Sequence, residues 1–128
     1  MDTSETYIEM CEQAMEIQEI VKPKHAISGG FQNGDWVYCH TVYCLNNIPL
    51  ANSNRESYIW LPRQDQLQAM VVENYVSHRK MFVCFGYYCA EYGDINYSGE
   101  KLWLMFVMYK KHNKEWVNGD WISIDSHT

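Results

Sequence analysis

The residues of this chain that could do chemistry are its cysteines and one adjacent histidine. Cys39, His40 and Cys44 lie close together, and Cys84 and Cys89 follow later. Structural zinc needs closely spaced ligand pairs on turns that can wrap around the ion. On one predicted strand, Cys39 and Cys44 have opposite parity, so their side chains point to opposite faces. The pattern therefore predicts no metal site, and no cofactor is expected.

Nucleophilic catalysis by cysteine needs a histidine within hydrogen-bond reach and a third group that orients it. Cys39 and His40 are neighbours on the predicted strand and point apart. The sequence does not constrain a pairing of Cys84 or Cys89 with a distant histidine, so an enzyme with a Cys–His site stays an alternative. No Gly-x-Ser-x-Gly, His-Glu-x-x-His or P-loop string occurs. We therefore expect no catalytic residue and no enzymatic activity.

The most distinctive string is Ile-Trp-Leu-Pro-Arg-Gln-Asp-Gln-Leu-Gln at residues 59–68. It predicts a strand end that leads into a helix opened by Pro62, since proline suits the first helical position. One interpretation is a capped helix with a solvated polar face. The other is a contact surface, because Trp and Arg are enriched at binding hot spots and free N–H groups at a helix start can hold an anion. The candidate residues for binding a protein or an anion are Trp60, Arg63, Gln64, Asp65, Trp36 and Trp121.

Composition narrows the classes of partner. Aromatic residues make up 15% of the chain, which is more than a small core needs, so some rings should reach the surface and form a binding face. The formal charge of −6 argues against direct binding of duplex DNA, which normally requires a basic patch. The longest apolar stretches fall short of the roughly 18–20 residues of a membrane span. An odd number of cysteines without an export signal is typical of reduced thiols in a cytoplasm.

The N-terminal segment predicts one continuous helix. Thr6 and Glu9 form a capping-box pair, in which hydroxyl and carboxylate each satisfy a free backbone N–H. Apolar side chains then recur at helical spacing: Tyr7, Met10, Cys11, Ala14, Ile17 and Val21. Glutamates cover much of the rest: Glu5, Glu9, Glu12, Glu16 and Glu19. Lys22–Pro23 ends the helix, because the residue before proline avoids the α conformation.

A loop over residues 24–34 and then two strands joined by a loose polar connection are predicted next. Residues 35–45 are rich in β-formers and predict one strand, and residues 57–61 predict a second strand antiparallel to it. The Asn-Gly-Asp-Trp sequence before the first strand recurs at residues 118–121, and we interpret it as turn chemistry used twice.

Three helical segments follow. The first starts at Pro62, and the second covers residues 77–92, where length favours a helix although apolar residues occur at every register. The third covers residues 99–113 with Ser98 as its N-cap, and it should be central because it is apolar almost all round. Asn118-Gly119 then predicts a small hairpin or a turn.

These elements predict an α+β fold. An N-terminal helix and a small antiparallel sheet precede two to three C-terminal helices packed on one sheet face, all in a single domain over residues 1–128. The predicted core consists of Met10, Ala14, Ile17, Val37, Leu67, Val71, Phe82, Phe85, Leu102, Met105, Phe106 and Trp103.

Three segments carry a resemblance: residues 10–24, the Trp-Leu-Pro-Arg-Gln-Asp-Gln-Leu-Gln string at 60–68, and residues 102–121. They resemble a family of small uncharacterised phage and prophage proteins of Gram-positive bacteria. The resemblance covers about a third of the chain and carries over no catalytic residue. It implies a protein in the bacterial cytoplasm that binds and inhibits a host protein, such as a CRISPR effector or another defence component. A small-molecule binder, such as a sponge for nucleotide signals, is the alternative, and a homo-oligomer is compatible with both.

Overall fold

Five helices and two small antiparallel sheets form the part of the chain that the structure describes, so the predicted α+β class is confirmed. The computed structural model describes residues 1–21, 31–45 and 58–124. Contacts group the chain into an N-terminal unit, Thr3–Pro62, and a C-terminal unit, Met1–Asp2 with Arg63–Thr128. The single domain over residues 1–128 stays a prediction. No helix in the described ranges combines the length and the hydropathy that a membrane crossing needs.

The predicted N-terminal helix is two helices. Helix α1 covers Glu5–Gln13 and α2 covers Met15–Val21, with Ala14 between them at φ −83° and ψ 76°. The N-cap is Ser4, whose Oγ accepts a hydrogen bond from Tyr7 N at 3.2 Å. The Thr6–Glu9 capping box is therefore wrong, because the helix starts before the position that this pair requires. The predicted stop at Lys22–Pro23 lies outside the described residues.

The single strand predicted over residues 35–45 is a tight hairpin. Strand β1 covers Trp36–Cys39 and β2 covers Thr41–Cys44, and the two pair antiparallel on either side of His40. His40 turns the chain in the left-handed region, with φ 66°. Both halves consist of β-formers, and the turn has neither glycine nor asparagine, so composition carried no signal of the reversal. The predicted second strand is confirmed as β3, Ile59–Leu61, which pairs antiparallel with β1 in the order β2-β1-β3.

A glutamine side chain closes the β3 edge of this sheet. Trp60 N donates to Gln18 Oε1 at 2.9 Å, and Gln18 Nε2 donates to Trp60 O at 2.9 Å and to Cys11 O at 3.0 Å. Trp60 faces Val37 across the ladder as a non-hydrogen-bonded pair, so its backbone groups point away from β1. Gln18 is only 6% exposed, so water has little access to this contact. The Gln18 side-chain amide therefore satisfies the backbone N–H and C=O of Trp60 in place of water.

We predict that Gln18→Ala lowers the free energy of unfolding by about 2–4 kcal/mol, because buried backbone groups lose their partner at about 1–3 kcal/mol each. Urea denaturation with an unchanged m-value measures it. Gln13→Ala is the control, since the Gln13 side chain bonds Glu9 in an exposed contact, and we expect a change within about 0.5 kcal/mol. Equal effects of the two substitutions would contradict the role of Gln18.

From Arg63 onward, the C-terminal unit begins with three helices and a short 3₁₀ turn. Helix α3 covers Gln64–Val71, the 3₁₀ turn Val72–Asn74, α4 His78–Tyr92 and α5 Gly99–His112. The helix over residues 77–92 is confirmed. Pro62 does not open α3, because Arg63 is the N-cap in an extended conformation and its N–H donates to Gln66 Oε1 at 2.8 Å. Proline therefore lies one residue before the cap.

Helix α5 is the centre of the C-terminal unit, as its sequence predicted. Ser98 is its N-cap and accepts a hydrogen bond from Lys101 N at 3.1 Å, and α5 packs against α3, α4 and a C-terminal strand, β4, which covers Lys114–Val117. Every residue from Trp103 to Met108 is buried. The Phe85 ring stacks on Trp103 with centroids 3.7 Å apart. A helix buried on all sides explains why its sequence shows no polar face.

The predicted small hairpin follows α5. Strands β4, Lys114–Val117, and β5, Asp120–Ser123, pair antiparallel. Asn118 and Gly119 both have positive φ, at 52° and 85°, which is the geometry of a type I′ turn.

The predicted core is mostly correct. The members found buried are Met10, Ala14, Ile17, Val37, Leu67, Val71, Met105, Phe106 and Trp103. Phe85 and Leu102 are half-buried, and Phe82 is 47% exposed. Phe82 was a wrong assignment, because its ring meets the Trp103 ring at 89° with centroids 5.6 Å apart while nearly half of the residue stays exposed.

Candidate functional site

The N-terminal unit contains an open groove of about 650 Å³ between α1 and one face of the three-stranded sheet. Its lining combines carboxylates with apolar and hydroxyl side chains. The lining residues are Thr3, Glu5, Ile8, Glu9, Glu12, Tyr38, Thr41, Val42 and Ile59. The volume lies in the range of about 300–1,000 Å³ that is typical of ligand sites.

The sheet supplies the floor of the groove through one cross-strand row. Tyr38 on β1 pairs with Val42 on β2 and with Ile59 on β3, so the three side chains share a face. The opposite face carries Val37 and Trp60, both buried. Strand alternation therefore separates a core face from a half-buried floor.

Helix α1 supplies the wall. Glu5, Ile8, Glu9 and Glu12 follow at spacings of three and four residues, which brings them onto one side of the helix. The other side of α1 carries Tyr7, whose hydroxyl donates to Pro62 O at 2.6 Å and ties α1 to the chain after β3. The wall is thus held in place by its buried side while its carboxylates stay exposed.

The described lining of the groove carries negative charge. Of the nine lining residues in the described part of the chain, three are glutamates and none is lysine or arginine. A cationic side chain fits this combination, because its aliphatic stem can lie on Ile8, Val42 or Ile59 while its charged head meets the carboxylates. The Tyr38 ring adds a surface that favours a cation over its face. The sequence signal for the site was Ile8 among the glutamates of the N-terminal helix, to which no function was assigned from the sequence.

The predicted tryptophan contact surface is not exposed. Trp60 is 3% and Trp121 7% exposed, and Trp36 is half-buried. Trp60 lies on the core face of the sheet, and Trp121 packs against Trp116 with ring centroids 5.0 Å apart. The residue type enriched at binding hot spots serves as core in these two positions.

Arg63 and Asp65 satisfy each other at the start of α3. Arg63 Nε lies 3.0 Å from Asp65 Oδ1, and Arg63 Nη2 lies 3.3 Å from Oδ2. The hydrogen bond from Arg63 lowers the pKa of the Asp65 carboxyl, and bonds from the Asp65 and Gln66 backbone lower it further. The helix start therefore already holds a carboxylate, which opposes the binding of an external anion there.

Gln64 has a structural role within the C-terminal unit. Its Nε2 donates to Glu100 Oε2 at the start of α5. A Cβ on Gly99 would lie 2.5 Å from that same Nε2, so the glycine makes room for the glutamine. Gln64 thus links α3 to α5, and its amide is committed to that contact.

No disulfide forms among the five cysteines, and the described residues contain no group of three metal-binding side chains. The hairpin separates Cys39, next to the turn, from Cys44, which faces Trp36 at the far end. Burial raises the pKa of the Cys89 thiol, which lowers the fraction of reactive thiolate.

Comparisons with protein-family models, with curated proteins and with solved structures give no match. The resemblance to phage proteins therefore stays a prediction. In the structure, its most specific string ends β3 and begins α3. The groove in the N-terminal unit is therefore the feature from which a function is inferred.

We predict that Asp65→Asn lowers the free energy of unfolding at pH 7 by less than about 1 kcal/mol, because the carboxylate is 70% exposed and the pair is screened by solvent. The folded-state pKa lies below the ordinary 3.8, so the contribution is present above that pH and is lost as the pH falls through the folded value. Urea titrations of both proteins from pH 7 to pH 2 measure the difference.

A double-mutant cycle with Arg63→Gln isolates the pair, and about 1 M salt should reduce its coupling energy. A stability difference between the wild type and the Asp65→Asn variant that grows on acidification would contradict the assignment.

Proposed function

We propose that this protein is a non-enzymatic binding protein whose groove takes a basic, apolar-flanked segment of a partner protein. The observation that carries the proposal is the wall of Glu5, Glu9 and Glu12 above the apolar floor. Such a site offers apolar burial and charge complementarity at once, which favours a lysine- or arginine-containing segment over a neutral or acidic one.

The charge of the whole chain supports the same class of partner. A net charge of −6 attracts a basic surface over a distance and raises the association rate at low salt. Nucleotides and other phosphate compounds carry the opposite charge to the one that the groove favours. The groove thus supports a protein partner over the nucleotide-sponge alternative.

The resemblance to phage and prophage proteins directs the choice of partner to the bacterial host cell. Proteins that bind nucleic acid present basic grooves and displace counterions from phosphates. An acidic groove that captures a basic segment of such a surface would block access of the nucleic acid. A CRISPR effector is therefore the host defence component that we propose to test first, with the bacterial cytoplasm as the place of action.

We predict that the tagged wild-type protein retains a partner from lysate of a Gram-positive host, and that Glu9→Lys reduces retention about tenfold, because it places a positive charge among the groove carboxylates. Quantitative mass spectrometry of the captured proteins measures this. Glu19→Lys is the matched control: it makes the same charge change on the exposed side of α2, outside the groove, and retention should persist.

The same three proteins are then added to a purified CRISPR effector while DNA cleavage is followed. Inhibition by the wild-type and Glu19→Lys proteins, but not by Glu9→Lys, is the expected result. The binding proposal fails if the wild type retains nothing above background, or if Glu9→Lys retains the same proteins equally well. Retention of a partner without inhibition of DNA cleavage would exclude the CRISPR effector as the target and indicate a different host partner.

A further inference from the structure

Helix α4 in the C-terminal unit has an apolar outer face. Its inner side carries the buried Met81 and Tyr88, together with Phe85, whose ring stacks on Trp103. The outer side exposes Phe82, Val83, Gly86, Tyr87 and Ala90, at helical spacing. Tyr87 is 76% and Phe82 47% exposed. Large rings exposed in one row are typical of an interaction surface.

Gly86 lies in the middle of this face, with no internal reason to be glycine. A Cβ built at Gly86 meets no atom within 4 Å, so nothing in the described part of the chain requires the missing side chain. Glycine inside a helix costs stability relative to alanine. Gly86 and Ala90, one turn apart, are the small residues of this face, so a second backbone can approach closely there.

The charges at the ends of α4 are opposite to those that a single helix favours. Arg79 and Lys80 are in the first turn, where the helix dipole disfavours cations, and Glu91 is in the last turn, where it disfavours anions. Arg79 lies about two turns before Gly86, and Glu91 and Asp94 lie at the other end. Two such helices running antiparallel bring each basic end beside an acidic end.

We propose that α4 pairs antiparallel with α4 of a second copy of this chain around a two-fold axis at Gly86. Phe82 of each copy covers Gly86 and Ala90 of the other, and Arg79 faces Glu91 and Asp94 of the other. A two-fold interface uses the same patch on both chains, and the basic and acidic ends of this face meet in such a pairing. The occupant is therefore a second copy.

Sedimentation equilibrium tests the pairing. The wild type should reach twice the 15.2 kDa chain mass below about 0.2 mM. Arg79→Glu should weaken the dimer at least tenfold, because acidic residues then face each other at both ends. It should not lower the Tm of the monomer, because glutamate suits the first turn of a helix. A double variant, Arg79→Glu with Glu91→Arg, should restore the dimer.

A matched pair of valine substitutions gives an independent test. Val83→Ser lies on the face and should lower the dimer fraction several-fold. Val76→Ser lies outside α4 at a 95% exposed position and should leave it unchanged. A monomeric mass for the wild type up to about 0.2 mM overturns the proposal. So does equal weakening by the two valine variants, or failure of the charge exchange to restore the dimer.

Discussion

The buried amide of Gln18 is the contact on which the arrangement of the N-terminal unit depends. The backbone groups of Trp60 face away from β1, and one side chain satisfies both of them while also bonding the Cys11 carbonyl. The contact spans the break at Ala14 and fixes α2 beside β3. Because α1 ends at that break, the same amide helps to set the direction in which the α1 glutamates line the groove. The buried Gln18 contact thereby helps to position the exposed α1 glutamates, which it does not touch.

The C-terminal unit is organised by apolar packing instead. Helix α5 is buried along most of its length, so α3, α4 and β4 can each cover one side of it. Covering α5 uses only one side of α4, where Phe85 and Tyr88 contact the Trp103–Phe106 region. The other side of α4 has no equivalent neighbour among the described residues, which is why its rings remain exposed. The apolar run of residues 81–90 thus covers α5 with one side and leaves the other side exposed, and its sequence period does not distinguish the two sides.

Some local signals were predictable and the tertiary ones were not. Ser98 caps α5 and Asn118-Gly119 makes its turn, because each depends on chemistry within a few residues. The turn at His40 and the break at Ala14 occur without glycine, asparagine or proline. At Ala14, the Gln18 amide after the break bonds the Cys11 carbonyl before it, which is a contact that the sequence does not announce. Trp60 shows the same limit for the site: its type suggested a binding surface, while its position on the inner face of β3 made it core. The groove needs the α1 wall and the sheet floor together, so no single segment could reveal it.

The two proposed surfaces differ in the physics that would govern them. The groove offers carboxylates to a basic partner, so the affinity of that complex should fall as the salt concentration rises. Its charges should contribute more to the specificity of binding than the buried apolar area does. The α4 face offers aromatic rings around a glycine and carries charges only at its ends. Burial of apolar area should therefore dominate the energy of the proposed pairing, and salt should act mainly on the antiparallel orientation of the two helices. The proposed two-fold pairing would give each particle two grooves. A partner that presents two basic segments could then bind with an avidity well above the affinity of one groove, without any further contact. A modest groove on a small domain can in this way support a tight interaction.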